Sequence, residues 1–89
     1  MASRKLTLTN KRGLHARAAT RLVQCCQPFS ARVTVTRGSQ IADAANIMSL
    51  LMLAAPNGTE LTVSAEGEDA DAALDAIEAL FEARFDEDL

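Results

Sequence analysis

One histidine, His15, occurs in the chain, within Gly13-Leu14-His15-Ala16-Arg17, where loop residues give way to an amphipathic pattern starting at Ala16. A ring placed there lies among backbone N–H groups that have no acceptor inside the helix, at the positive end of the helix dipole. Such an end binds anions. A phosphoryl group carried on the imidazole would be met by the N–H groups of Ala16 and Arg17, and the Arg17 guanidinium would take phosphate oxygens in a fork. Neutral imidazole is itself a nucleophile at physiological pH. Position alone leaves plainer uses open. His15 also suits a helix cap or a water ligand, Arg17 a solvated charge or an ion pair, and Gly13 a turn or a close approach by another segment.

The other reactive side chains offer less. Cys25 and Cys26 are adjacent within a helical pattern, where neighbouring side chains diverge and a disulfide would be strained, so both are read as reduced. One histidine and two adjacent cysteines cannot close a zinc shell, and neither a metal nor a cofactor is expected. With 89 residues the chain is sized for a single domain, assigned to 1–89. Apolar residues make up 48% of it but are broken by charges, and no run approaches the ~20 residues of a membrane span. Two basic residues near the start, Arg4 and Lys5, are not followed by the apolar stretch of a secretory signal, so the expected location is cytoplasmic. The net charge is −3, with acidic residues concentrated from Glu66 to Asp88 and basic ones in the first third, a distribution unlike that of a nucleic-acid binder.

Periodicity supplies the elements that would position His15. Alternation over Arg4–Thr9, with Leu6 and Leu8 on one face, predicts a first strand. Ala16, Ala19, Leu22, Val23 and Cys26 then recur at helical spacing, and Pro28 stops the helix near Gln27. Residues 31–36 alternate again, and Arg37-Gly38-Ser39 turns the chain into a short strand over Gln40–Asp43. The apolar block from Ile47 to Leu53 lacks β-branched enrichment and reads as a short helix closed by Pro56-Asn57-Gly58. Glu60–Ala65 is a fourth strand, and Ala70, Ala73, Leu74, Ile77, Leu80 and Phe81 mark a third helix ending near Arg84. Residues 85–89 read as a frayed acidic tail. The order is β-α-β-β-α-β-α. One apolar face per strand and three amphipathic helices imply an α/β (α+β) open-faced sandwich, a four-stranded antiparallel sheet covered on one side.

The run Asn10-Lys11-Arg12-Gly13-Leu14-His15-Ala16-Arg17-Ala18-Ala19 resembles the active-site signature of the HPr family of histidine phosphocarriers. The resemblance continues through Asn46-Ile47-Met48-Ser49-Leu50-Leu51-Met52-Leu53-Ala54-Ala55, Gly58-Thr59-Glu60-Leu61-Thr62-Val63 and Glu66-Gly67-Glu68, and the element order is that of the family. It implies that His15 accepts a phosphoryl group on Nδ1 from a phosphohistidine of Enzyme I and hands it to a histidine of an EIIA-type protein, with Arg17 steadying the phosphate. The chain would then be a monomeric phosphoryl carrier rather than an enzyme acting on its own substrate. Two departures stand out. Ala18 replaces a usual proline, from which a looser helix start is expected, and Asn46 replaces a serine that many members carry as a regulatory phosphorylation site. Ser49 lies one turn on, in surroundings unlike that site.

The block Leu50-Leu51-Met52-Leu53 and the ending Ala79-Leu80-Phe81 with Phe85-Asp86-Glu87-Asp88 resemble the nitrogen-related branch of the family, NPr, more than the sugar branch. Donor and acceptor would then be the nitrogen-branch Enzyme I and EIIA. Docking is assigned to Thr20, Gln24, Ile47, Met48 and Leu51, with core packing as the competing role for the last three. The alternatives are a sugar-branch HPr, a non-phosphorylated interaction module of the same fold, and a small catalytic domain using His15 as a general base; for the last, no nucleophile or pocket is evident.

Overall fold

The computed structural model describes residues 1–86. Strand β1 is Ala2–Thr7, helix α1 Ala16–Cys26, strands β2 and β3 Arg32–Arg37 and Gln40–Asp43, helix α2 Ile47–Met52, strand β4 Glu60–Glu66 and helix α3 Ala70–Glu82. The sheet is four-stranded, in the order β1-β4-β2-β3, and every pairing is antiparallel. The expected element order and the one-sided sandwich are therefore observed. Boundaries move by one or two residues, which is the ordinary uncertainty of element ends.

Register explains how one face becomes the core. Arg4, Val63, Val35 and Ala42 are cross-strand neighbours in one row, while Lys5, Thr62, Thr36 and Ile41 form the row beside it. Because side chains alternate across a strand, the first row faces the helices and the second faces outward. Leu8, Val33, Val35, Leu61, Val63 and Ala65 are buried with Leu22, Leu50, Leu74 and Ile77 of the helices. Each buried Val or Leu contributes about 1.5–3 kcal/mol, so the sheet face and the helical stripes account for most of the driving force. Arg4 sits at the margin of the inner face, where its guanidinium reaches Asp75 at 2.8 Å and Glu78 at 3.0 Å on α3. Those two carboxylates hold the Arg4 pKa above its ordinary value, the hydrogen bond to Asp75 being the main cause.

Two long-range contacts fasten the loops. The carboxylate of Asp69, the residue before α3, accepts backbone N–H bonds from Ser30 and Ala31, both at 2.8 Å. These bonds, Ser30 first, keep the Asp69 carboxyl below its ordinary pKa. The C-terminal end of α2 carries no basic residue of its own. Arg37 of β2 supplies the missing charge, its Nη1 donating to the carbonyls of Leu53 at 2.7 Å and Ala54 at 3.0 Å.

The chain beyond α3 departs from the sequence reading. Phe85, assigned above to a frayed acidic tail, is fully buried, its ring centroid 4.9 Å from that of Phe81. Arg84, Phe85 and Asp86 all adopt left-handed φ values, between 54° and 60°, and this reversal turns Phe85 back toward α1 and α3. Asp86 then meets Arg21 of α1 at 3.4 Å. A lone aromatic past the end of a periodic segment carries no pattern, so its burial was not legible. Residues 87–89 of the assigned tail lie outside the described residues.

Candidate functional site

The β1–α1 loop is clamped before it reaches the histidine. Gly13 has φ +67°, and a Cβ there would lie 2.3 Å from the Ala55 carbonyl oxygen and 2.7 Å from Pro56, so only glycine fits against the segment after α2. Leu14 donates its N–H to that same Ala55 oxygen at 2.9 Å. The following residue, His15, is the N-cap of α1, with extended backbone angles of −88° and −176°. Its Nδ1 accepts the N–H of Arg17 at 3.3 Å. The Nδ1 lone pair thus points at the positive end of the helix, and a phosphoryl group bonded to Nδ1 would place its oxygens beside the N–H groups of Ala16 and Arg17.

The charge around this end is one-sided. The first turn of α1 contains no acidic side chain. Arg17 is exposed and, among the described residues, has no ion-pair partner, whereas Arg4 and Arg21 are both committed to carboxylates. A guanidinium on the first turn with no competing carboxylate is available to stabilise negative charge brought to that helix end. Ala16, Arg17, Thr20, Arg21 and Gln24 line one open groove along α1. Four of the assigned site residues are therefore brought together. The Thr20 hydroxyl donates to the Ala16 carbonyl at 2.8 Å. Arg21 was missed by the sequence reading, although its spacing of four from Arg17 places both on one helix face.

The assigned residues of α2 form a second patch rather than part of that groove. Ile47 is 37% exposed and Met48 67%, so core packing is not the role of either. Leu51 is half-buried against the core, which Leu50 fills. Met52, at 74% exposure, was missed, yet its spacing of four from Met48 was the available signal. Helices α1 and α2 pack side by side, which sets this flexible apolar surface on the same layer as the α1 groove. Asn46 is the N-cap of α2, its Oδ1 accepting the Ser49 N–H at 3.1 Å.

The family pattern for the PTS HPr component phosphorylation site matches residues 2–83. The chain belongs to the HPr family. It is a phosphocarrier of the phosphoenolpyruvate-dependent phosphotransferase system. Among its relatives is the phosphocarrier protein NPr of Shewanella violacea, 50% identical over 84 residues that cover 94% of this chain and 92% of the relative. The phosphocarrier protein HPr of Xylella fastidiosa is 43% identical over 88 residues, covering 99% of both chains. The crystal structure of HPr-C-His from Thermoanaerobacter tengcongensis superposes with a TM-score of 0.95 at 35% identity, covering 100% of both chains.

Within this HPr fold, Ala18 is fully buried at the third position of α1, where a backbone N–H has no acceptor inside the helix. Both cysteines are free, and burial pushes the Cys26 thiol up to about 12, with that of Cys25 raised for the same reason. Thiols so shifted are poor nucleophiles. Among the described residues no group of three or more His, Cys, Asp or Glu side chains could hold a metal ion, and no helix is long and apolar enough to cross a membrane.

Proposed function

We propose that His15 is the phosphoryl acceptor of this HPr-family carrier, that Arg17 stabilises the phosphate, and that the carrier serves the nitrogen-related branch. The observation that carries the reading is the Nδ1 lone pair of His15, directed at the N–H of Arg17 3.3 Å away. A phosphohistidine of Enzyme I would present phosphorus to Nδ1. The new N–P bond forms as the donor's N–P bond breaks, and the donor ring keeps the electron pair. Negative charge on the equatorial oxygens is met by backbone N–H groups of α1 and by Arg17. The same exchange, run toward the histidine of an EIIA-type acceptor, discharges the carrier. Alignment of two rings supplies most of the catalysis.

Thr20 and Gln24, lining the α1 groove, and Ile47, Met48 and Leu51 on α2 form the docking surface in this reading, with Arg21 and Met52 added to it. An exposed apolar patch rimmed by arginine suits a transient partner. The carrier acts as a monomer in the cytoplasm, as one domain. Identity of 50% to a relative named NPr supports the nitrogen branch, while 43% to a relative named HPr makes the sugar branch the alternative.

Incubation with phosphoenolpyruvate and Enzyme I of each branch decides both points. Expected is an acid-labile, base-stable phosphate that forms faster with the nitrogen-branch donor and is absent from His15→Ala. Label retained in His15→Ala, or none with either donor, overturns the acceptor. Faster labelling by the sugar-branch donor overturns the branch.

A further inference from the structure

The side chain of Asn10 is fully buried, the polar exception in the apolar core among the described residues. A carboxamide in such a place costs stability unless its groups are bonded, and a leucine would fill similar space. Its contacts show what it is bonded to. Asn10 Nδ2 donates to the Gly13 carbonyl at 2.6 Å. That same carbonyl accepts the His15 N–H at 3.0 Å, and the Gly13 N–H returns to the Asn10 carbonyl at 3.2 Å. On the other side of the Gly13–Leu14 peptide, the Leu14 N–H is held by the Ala55 carbonyl at 2.9 Å. Both ends of one peptide unit are thereby gripped, the C=O by Asn10 and the N–H by the segment after α2. The next residue is His15.

The geometry points to Asn10 as the positioning residue of the phosphoryl acceptor: its carboxamide fixes the Gly13–Leu14 peptide, and so the direction in which His15 presents Nδ1. This rests on the reading of His15 as acceptor. The extended backbone at His15 sets the Cα–Cβ direction, and Nδ1 meets the Arg17 N–H only while that direction is kept. Asn57 braces the arrangement, its Nδ2 donating to the Asn10 carbonyl at 2.9 Å from the α2–β4 loop. Asn10 touches neither the phosphate nor a partner. Its effect is on alignment, where a displacement of about 1 Å costs on the order of a hundredfold in rate.

The test compares Asn10→Ala with Asn57→Ala, whose exposed side chain can be removed without emptying the core, and with Asp69→Asn, which loosens a distant loop contact. The first readout is the imidazole ¹⁵N spectrum of His15 in the free protein, which needs no donor. Expected is a shift of the Nδ1 resonance toward that of unconstrained histidine in both asparagine variants, larger for Asn10→Ala, and none in Asp69→Asn. The second is transfer from phosphorylated Enzyme I. The rate at saturating donor should fall about 10- to 100-fold in Asn10→Ala and less in Asn57→Ala, with KM within about twofold of the parent. If Asn10→Ala does not fold, Asn57→Ala decides by the same two readouts. An unchanged Nδ1 resonance, an equal shift in Asp69→Asn, or a loss confined to KM overturns the assignment. Absence of label in the parent protein overturns the acceptor reading instead, and leaves the ring spectrum to test the positioning.

Discussion

At the start of α1 the N-cap is His15, whose Nδ1 accepts the N–H two residues on at 3.3 Å; at the start of α2 it is Asn46, whose Oδ1 accepts the N–H three residues on at 3.1 Å. Both caps have extended backbone angles, and neither helix has an acidic residue in its first turn. Asparagine is among the best N-caps and histidine is not one of the preferred set. Helix α2 therefore closes its positive end with a strong, unreactive acceptor. Helix α1 closes its own with a weaker acceptor of a kind that can act as a nucleophile, and sets beside it an arginine with no ion-pair partner among the described residues. If His15 is the acceptor proposed above, the difference teaches that such a site is built by putting a reactive group into an ordinary capping position.

Exchanging the caps breaks the comparison most severely. His15→Asn should abolish phosphoryl labelling while raising stability by up to about 1 kcal/mol, read by label incorporation and urea unfolding. A variant that loses label only because it has unfolded would contradict this. Arg17→Ala should slow transfer about 10- to 100-fold, since a charge-assisted bond to phosphate is worth about 1.5–3 kcal/mol, and should leave the unfolding midpoint nearly unchanged. A normal rapid-quench rate would remove Arg17 from the site. Asn46→Ala should cost about 1 kcal/mol of stability by losing the better cap, and leave labelling of His15 intact.

The smallest effect concerns the third helix start, where Asp69 makes no cap bond to its own helix and instead holds Ser30 and Ala31. Its carboxyl is shifted down when folded, so its contribution is present above its ordinary value of 3.8 and is lost as the pH falls through the lower folded value. Asp69→Asn should accordingly unfold more easily at neutral pH, and the gap from the parent should narrow in acid. A gap that widens in acid would contradict the linkage.

Much of this was legible in the residues. Alternation in the four strands and the stripe in α3 are local patterns with a fixed period, and each appeared within a residue or two of its predicted span. The place of His15 and Arg17 at a helix start was legible because such a start announces itself by where periodicity begins. Arg21 and Met52 carried a signal in their spacing of four from Arg17 and Met48, but spacing does not say which side of a helix is left uncovered. Phe85 carried none, because a left-handed turn after α3 has no periodic signature.

What the sequence determined by itself was the order of elements, the apolar face of each, and a histidine at a helix start beside an arginine, since all of these follow from neighbours within a few residues. What only the tertiary structure decided was the meeting of segments distant along the chain. Asn10, Ala55 and Asn57 grip the turn before His15, Arg37 closes α2 from another strand, and Asp69 ties a loop 38 and 39 residues away. These contacts depend on which backbone carbonyls the packed layers bring within about 3 Å of a donor, and no local pattern encodes that distance.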